Sequence, residues 1–262
     1  MPEEKMRGVS FQAIYVLWLR ELKTFIRARS RIVGNIVQPF FFLAILGVGF
    51  KSSMKFTAAG MQGLDYLQFL VPGLVGMSLL FSSMFAGLSI LWDRQFGFLR
   101  EIMVAPVSRL SLVLGRVAGG MTTTVLQAFS ILLIAHLFGF RLKGALDLLL
   151  SAGFMLLIGT GFVGMGVAFA SKMEDMHGFQ IVMNFIIMPI FFLSGALFPL
   201  EGLPSWLSFL IYMDPLTYGV DALRAVMLGI SHFPLIMDFA ILTFFCTVML
   251  MVGALFFSQC EV

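Results

Sequence analysis

Charge is what this sequence has least of. Only 12% of its 262 residues are charged, against 60% hydrophobic, where a soluble domain carries about 25% charge. That balance excludes a soluble enzyme or a nucleic-acid-binding domain and leaves an integral membrane protein. Cysteine is scarce as well. Cys246 and Cys260 lie close to the end of the chain, with neither a disulfide framework nor a metal-ligand spacing. His136, His177 and His232 are scattered and no H-E-x-x-H occurs, so no metal site is expected. No G-x-x-x-x-G-K-[ST] is present either. GVGFKS at 47–52 has the wrong spacing, so the chain is expected to bind no ATP itself. Ser194–Gly195 fails as a nucleophile turn because Phe192 stands where the first glycine belongs. We therefore expect no catalytic residue, cofactor or metal in this chain.

What the sequence does hold is six apolar runs, each near or above the ~20 residues that cross a bilayer. They fall at about Ile32–Phe50, Tyr66–Leu91, Val117–Phe140, Leu148–Ala170, Phe179–Leu200 and Phe239–Ser258. Thirty Phe and 19 Met suit lipid-facing and helix-packing surfaces. Residues 1–31 carry seven basic side chains (Lys5, Arg7, Arg20, Lys23, Arg27, Arg29, Arg31), which argues against a cleavable signal peptide. Phe11, Ile14, Tyr15, Trp18, Leu22 and Phe25 recur there at helical spacing, with Arg20, Lys23 and Arg27 opposite. That pattern predicts a helix lying along the membrane with its basic side toward anionic headgroups. With the N-terminus inside, twelve Lys and Arg fall on the cytoplasmic side and five outside, so both termini are expected in the cytoplasm.

The most informative stretch is WDRQFGFLREIMVAPVSRLSLVLGR, 92–116, between two apolar runs. It bears Asp93, Arg94, Arg100, Glu101, Arg109 and Arg116. Each charge costs about 2.5–3.5 kcal/mol at a bilayer centre. Submerging Asp93, Arg94, Arg100 and Glu101 would cost on the order of 10 kcal/mol, so the segment is expected in water. Phe98 to Val104 reads as a short helix ended by Pro106, and Ser108 can cap the next one. A stiff amphipathic helix between two spans suits docking to a cytoplasmic motor.

A second departure lies at 201–232. Pro204 can open a helix through Leu207–Met213, and Asp214–Pro215 is a cap and start for another that ends near Gly229. Their apolar bodies predict re-entrant outer helices, with Asp214, Asp221 and Arg224 held at watered ends, as a plug over a pathway or as a surface hairpin.

Polar residues in the spans form stripes: Asn35 and Gln38; Ser78, Ser82 and Ser89; Thr123, Gln127 and Ser130; Gln180 and Asn184. Such residues face protein or water, and either line a translocation path or bond helix to helix. Asp238 opens the last span, one turn from the interface, where it can reach water. Gly115–Gly119, and Gly161, Gly164 and Ala168, mark close packing within one subunit or between two. The fold class is thus all-α: six transmembrane helices in 32–258, an N-terminal amphipathic helix in 1–31, a coupling helix within 93–108, re-entrant helices within 201–232, and a tail at 259–262.

Three segments, YLQFLVPGLVGMSLL (66–80), FLREIMVAPVSRLSLVLGRVAGG (98–120) and MDPLTYGVDALRAVMLG (213–229), carry a resemblance. The chain resembles a permease subunit of the type-2 ABC exporters, with the type V architecture, in their bacterial multidrug and daunorubicin-resistance branch. The resemblance implies a homodimer in the inner membrane served by two copies of a cytoplasmic ABC ATPase, which binds the ATP and Mg. By position it places Arg94, Phe98, Arg100, Glu101, Ala105 and Pro106 at the ATPase contact. It implies export of hydrophobic or amphipathic substrates such as drugs and lipids, with lipid-linked polysaccharide as the alternative cargo. An ATP-independent transporter would need an ionisable relay, for which only Asp238 and His136 are at hand. A membrane assembly factor that transports nothing is the third class.

Overall fold

The computed structural model describes residues 9–28, 33–34, 37, 40–48, 66–98, 107–142, 144–200 and 204–259. Their regular structure is helical, with no strand among the described residues. We number the helices α1 Phe11–Arg27, α2 Tyr66–Ala86, α3 Leu88–Gln95, α4 Arg109–Leu137, α5 Ala145–Lys172, α6 Met176–Leu193, α7 Ser205–Met213, α8 Pro215–Leu228 and α9 Leu235–Ser258. A π-helical stretch covers Leu43–Val48. Five segments are long and apolar enough to cross a membrane: Tyr66–Gln95, α4, α5, α6 and α9. Part of the first expected span, with Asn35 and Gln38, lies outside the described residues.

The boundaries differ from the expected ones for local reasons. α4 begins at Arg109 because Ser108 caps it, accepting from the Ser111 amide at 3.3 Å. α6 stops at Leu193, and Gly195, at φ 66°, turns the chain away before Leu200. α9 starts at Leu235 behind Pro234, which puts Asp238 inside the helix.

α5 is the hub, in contact with α2, α3, α4, α8 and α9. Without a hydrophobic force between helices in lipid, close approach has to come from small residues. The helix of span two is interrupted at Gly87, between α2 and α3, where it packs closely on α5. A Cβ on Gly87 would stand 2.3 Å from the Gly166 carbonyl oxygen, and one on Gly166 would stand 2.5 Å from that of Met84. Neither contact can be relieved by a side-chain rotation, because both partners are backbone. A Cβ on Gly161 would meet the Phe245 ring at 2.8 Å, and one on Gly164 the Met249 backbone at 3.1 Å, so this glycine face seats α9. Gly115 and Gly119 seat α1 instead: their Cβ positions lie 2.8 Å from Leu17 Cβ and 2.6 Å from Glu21 Cβ. Both small-residue motifs are thus used within one chain.

That packing corrects the reading of the first helix. α1 lies against α4 rather than only along a lipid surface. The Ser10 amide donates to Ser111 Oγ (2.9 Å) and Trp18 Nε1 donates to Thr122 Oγ1 (3.0 Å). Leu17 is buried, whereas Phe11 and Tyr15 from the expected apolar stripe are exposed. The buried face is turned from the predicted one because the groove over Gly115 and Gly119 admits Ile14, Leu17 and Glu21.

Candidate functional site: a buried ion cluster beside the charged loop

Six charged residues are buried among the described ones: Asp93, Arg116, Asp214, Asp221, Arg224 and Asp238. They gather at two levels along span two. Asp93 marks one, and Phe69, under the Arg224 guanidinium at 3.8 Å, marks the other. Those positions are separated by about 36 Å of helix at 1.5 Å per residue, close to the thickness of a hydrocarbon core with its margins.

The first cluster joins three elements. Arg20 of α1 reaches Asp93 of α3 with both terminal nitrogens, at 3.1 and 2.5 Å. Arg116 of α4 donates to the same carboxylate and, at 3.2 Å, to Ser89 Oγ. Asp93 is 6% exposed and Arg116 3%. The Arg20 side chain keeps 37% of its surface. Its guanidinium stands 4.7 Å from the Phe98 ring centroid, and its hydrogen bond to Asp93 holds its pKa above the ordinary value. Arg94 Nη1 donates to the Met173 carbonyl at 2.8 Å, which ties the end of span two to the α5–α6 connection.

Two expectations fail here. Asp93 was placed in water but is enclosed, because two guanidiniums neutralise it where α1 covers it. Arg20 was placed toward lipid headgroups but turns inward to that same acid. Of the expected ATPase-contact residues, Arg94 and Phe98 stand beside the cluster. Arg100, Glu101, Ala105 and Pro106, with the expected coupling helix beyond Phe98, lie outside the described residues.

Described members of the polar stripes make hydrogen bonds within and between helices. Ser82 Oγ donates to Gln127 Oε1, joining α2 to α4. Ser89 Oγ donates to the Ala86 carbonyl (3.0 Å), Thr123 Oγ1 to Gly120 (2.9 Å) and Ser130 Oγ to Leu126 (3.0 Å). Ser78 is buried, and its hydroxyl has no hydrogen-bond partner among the described residues. Asn184 is exposed on α6.

At the other level, α8 is built into the bundle among α2, α5 and α9. Pro204 precedes α7 as its cap. Asp214 caps α8, accepting from the Leu216 amide at 2.9 Å and Thr217 Oγ1 at 3.3 Å, with Pro215 opening the helix. Burial nevertheless pushes its carboxyl up to about 7. Asp221 accepts from the amides of His232 (2.9 Å) and Phe233 (2.8 Å). Arg224 donates to the carbonyls of Gly195 (2.7 Å) and Ala196 (3.3 Å). These three side chains, expected at watered ends, are 5–6% exposed. The polar groups of the surrounding turns take the place of water. Asp238, expected within reach of water, is fully buried, and its two oxygens have no hydrogen-bond partner among the described residues. α7, by contrast, leaves Trp206, Phe209 and Met213 exposed.

Residues 12–228 match the family described as ABC-2 type transporter. The chain belongs to that family. Its relatives agree. The transport permease ycf38 of Cyanophora paradoxa is 30% identical over 85% of this chain and 78% of its own length. The inner membrane transport permease YadH of Escherichia coli K12 is 26% identical over 92% of each chain. Nodulation protein J of Rhizobium leguminosarum bv. trifolii is 27% identical over 82% of this chain and 78% of its own. An ABC-2 transport permease is a membrane subunit, which agrees with the lack of catalytic motifs in this sequence.

Sequence reasoning missed the partnership of Arg20, Asp93 and Arg116 within this ABC-2 chain. One signal was present: an acid at the end of one apolar helix and an arginine in the second turn of the next are strongly driven to pair. Nothing local pointed to Arg20 as the third member.

Proposed function

We propose that this ABC-2 permease is the membrane half of an ATP-driven exporter. It moves hydrophobic or amphipathic molecules out of the cytoplasm or the inner leaflet. Two copies form the transmembrane unit, and two copies of a separate cassette ATPase supply the ATP and Mg. In this reading the chain sits in the inner membrane with both termini cytoplasmic, and the ATPase grips the segment from Arg94 through Phe98, Arg100 and Glu101 to Ala105–Pro106. Pro204, Asp214, Pro215, Asp221 and Arg224 hold the outer closure.

The observation that supports this most directly is the Arg20–Asp93–Arg116 cluster. It clamps α1, the end of span two and the start of span three into one block, next to the segment that would receive the ATPase. A push on that segment reaches three helices together, since buried ion pairs with low exposure hold geometry tightly. The tagged chain, purified from its native membranes, should bring down a cassette ATPase. Arg100→Ala with Glu101→Ala, or Phe98→Asp, should weaken that capture while the spans stay folded. A preparation without any ATPase would overturn the reading.

A further inference from the structure

At the end of α4 far from the ion cluster lies a cavity of about 460 Å³, within the range of small-molecule sites. Phe129, Leu132, Leu133 and His136 line it from α4, Leu148 faces them from α5, and Arg141 in the connection between the two helices completes it. Phe129 and His136 stand about 10 Å apart along the helix at 1.5 Å per residue. Arg116, bonded to Asp93, and His136 are separated by about 30 Å of the same helix. The cavity therefore opens at the margin of the hydrocarbon core opposite the Asp93 cluster.

The turn that carries Arg141 is held by the chain itself. Gly139 takes φ 97°, which a side chain would resist. The Phe140 amide then donates to the Ala135 carbonyl at 3.0 Å, and Phe140 is buried. His136 Nδ1 lies 3.1 Å from the Phe140 carbonyl oxygen, and since a carbonyl only accepts, that nitrogen carries the proton. Arg141, by contrast, is exposed and makes no hydrogen bond or ion pair among the described residues. No acid is among the described residues of the lining, and GFRLKG at 139–144 holds two basic residues and no acid. Leu133 is 68% exposed and Leu148 39%, so the apolar slot below Arg141 is open along its side. A guanidinium with its donors unspent suits a phosphate. The slot suits a hydrocarbon chain, which a free anion would leave unused.

We infer that this cavity binds an anionic phospholipid, with the headgroup phosphate on Arg141 and one acyl chain along Phe129, Leu132 and Leu133. The lipid is thereby seated against the α4–α5 connection, at the same level as the buried Arg224. The inference does not rest on the exporter reading.

The test uses the full chain in nanodiscs of mixed phosphatidylglycerol and phosphatidylcholine, with Leu133→Trp as a reporter at an exposed position. Quenching of the added tryptophan by brominated forms of each lipid, corrected for the parent chain, gives their relative affinity at the slot. Phosphatidylglycerol should be preferred about fivefold, as for the ~1 kcal/mol that a basic side chain near an anionic surface supplies. Arg141→Gln should bring the two lipids to parity, while Arg141→Lys keeps most of the preference. A reporter at another exposed position, Phe244→Trp on α9, should show no preference. Equal affinity of the two lipids at Leu133→Trp, a preference that survives Arg141→Gln, or the same preference at Phe244→Trp would overturn the proposal. So would its loss on adding inorganic phosphate at constant ionic strength, which would mark a site for the free anion. No ATPase enters the measurement, so lipid binding can fail while ATPase capture succeeds, and the reverse.

Discussion

Replacing Asp93 with Asn keeps the shape of the side chain and removes its charge. Arg116, 3% exposed, would then keep a buried positive charge with Ser89 and an amide as its only partners. Its Nε already has no hydrogen bond among the described residues. Breaking a buried pair by removing one member costs about 3–5 kcal/mol, because the other charge is left uncompensated. Arg20 is different: with 37% of its side chain exposed, it can turn to water, and Arg20→Ala should cost about 1 kcal/mol or less. Arg116→Met leaves Asp93 with Arg20 and should fall between them. The double change Asp93→Asn with Arg116→Met removes both buried charges and should recover most of the loss. Thermal unfolding followed by tryptophan fluorescence would rank the four variants. Equal, small effects of Asp93→Asn and Arg20→Ala, or a double variant as weak as the sum of its parts, would mean that the cluster is solvated and clamps nothing.

Other outcomes can be checked alongside. Gly119→Leu drives a branched side chain into Glu21, whose Cβ is 2.6 Å from the glycine's Cβ position; α1 should detach and become sensitive to limited proteolysis while the spans remain resistant. Gly87→Val meets the Gly166 backbone at 2.3 Å and should lower the yield of folded protein more than Gly119→Leu, since neither backbone can yield. Arg224→Met strands the Gly195 and Ala196 carbonyls and should cost about 1–3 kcal/mol, read as a lower melting temperature. Burial raises the Asp214 carboxyl from 3.8 to about 7. Its contribution to stability is therefore fully present below about pH 4 and is lost as pH rises to about 7, because the unfolded chain ionises first. Asp214→Asn, which still caps α8, should flatten that pH dependence, and an unchanged profile would contradict it.

Much of this was legible in the residues. Hydropathy alone marks the runs that became α2–α3, α4, α5, α6 and α9, because lipid leaves few alternatives to a long apolar helix. Local chemistry also read through: Ser108 caps α4, Asp214 and Pro215 open α8, and Gly229 closes it at φ 79°. What did not read through is anything decided by a distant partner. The solvent-facing roles expected for Asp93, Asp221 and Arg224 followed from their cost in lipid. That cost is met instead by a second guanidinium, by the His232 and Phe233 amides, and by the carbonyls of the turn after α6. The stripe on α1 misled for the same reason, since the groove over Gly115 and Gly119 chose the buried face. Ser82 and Gln127 could be seen to share a polar face, but not that they would meet each other.

The central claim is that force enters this chain from a separate nucleotide-burning protein through the segment that follows span two. Chemical crosslinking of a cysteine placed at Phe98, in membranes that hold the intact assembly, tests it most directly. The account predicts a covalent adduct to a cassette ATPase that changes in yield when ATP is added. An adduct only to other copies of this chain, or labelling at that position by an impermeant reagent from outside the cell, would contradict it.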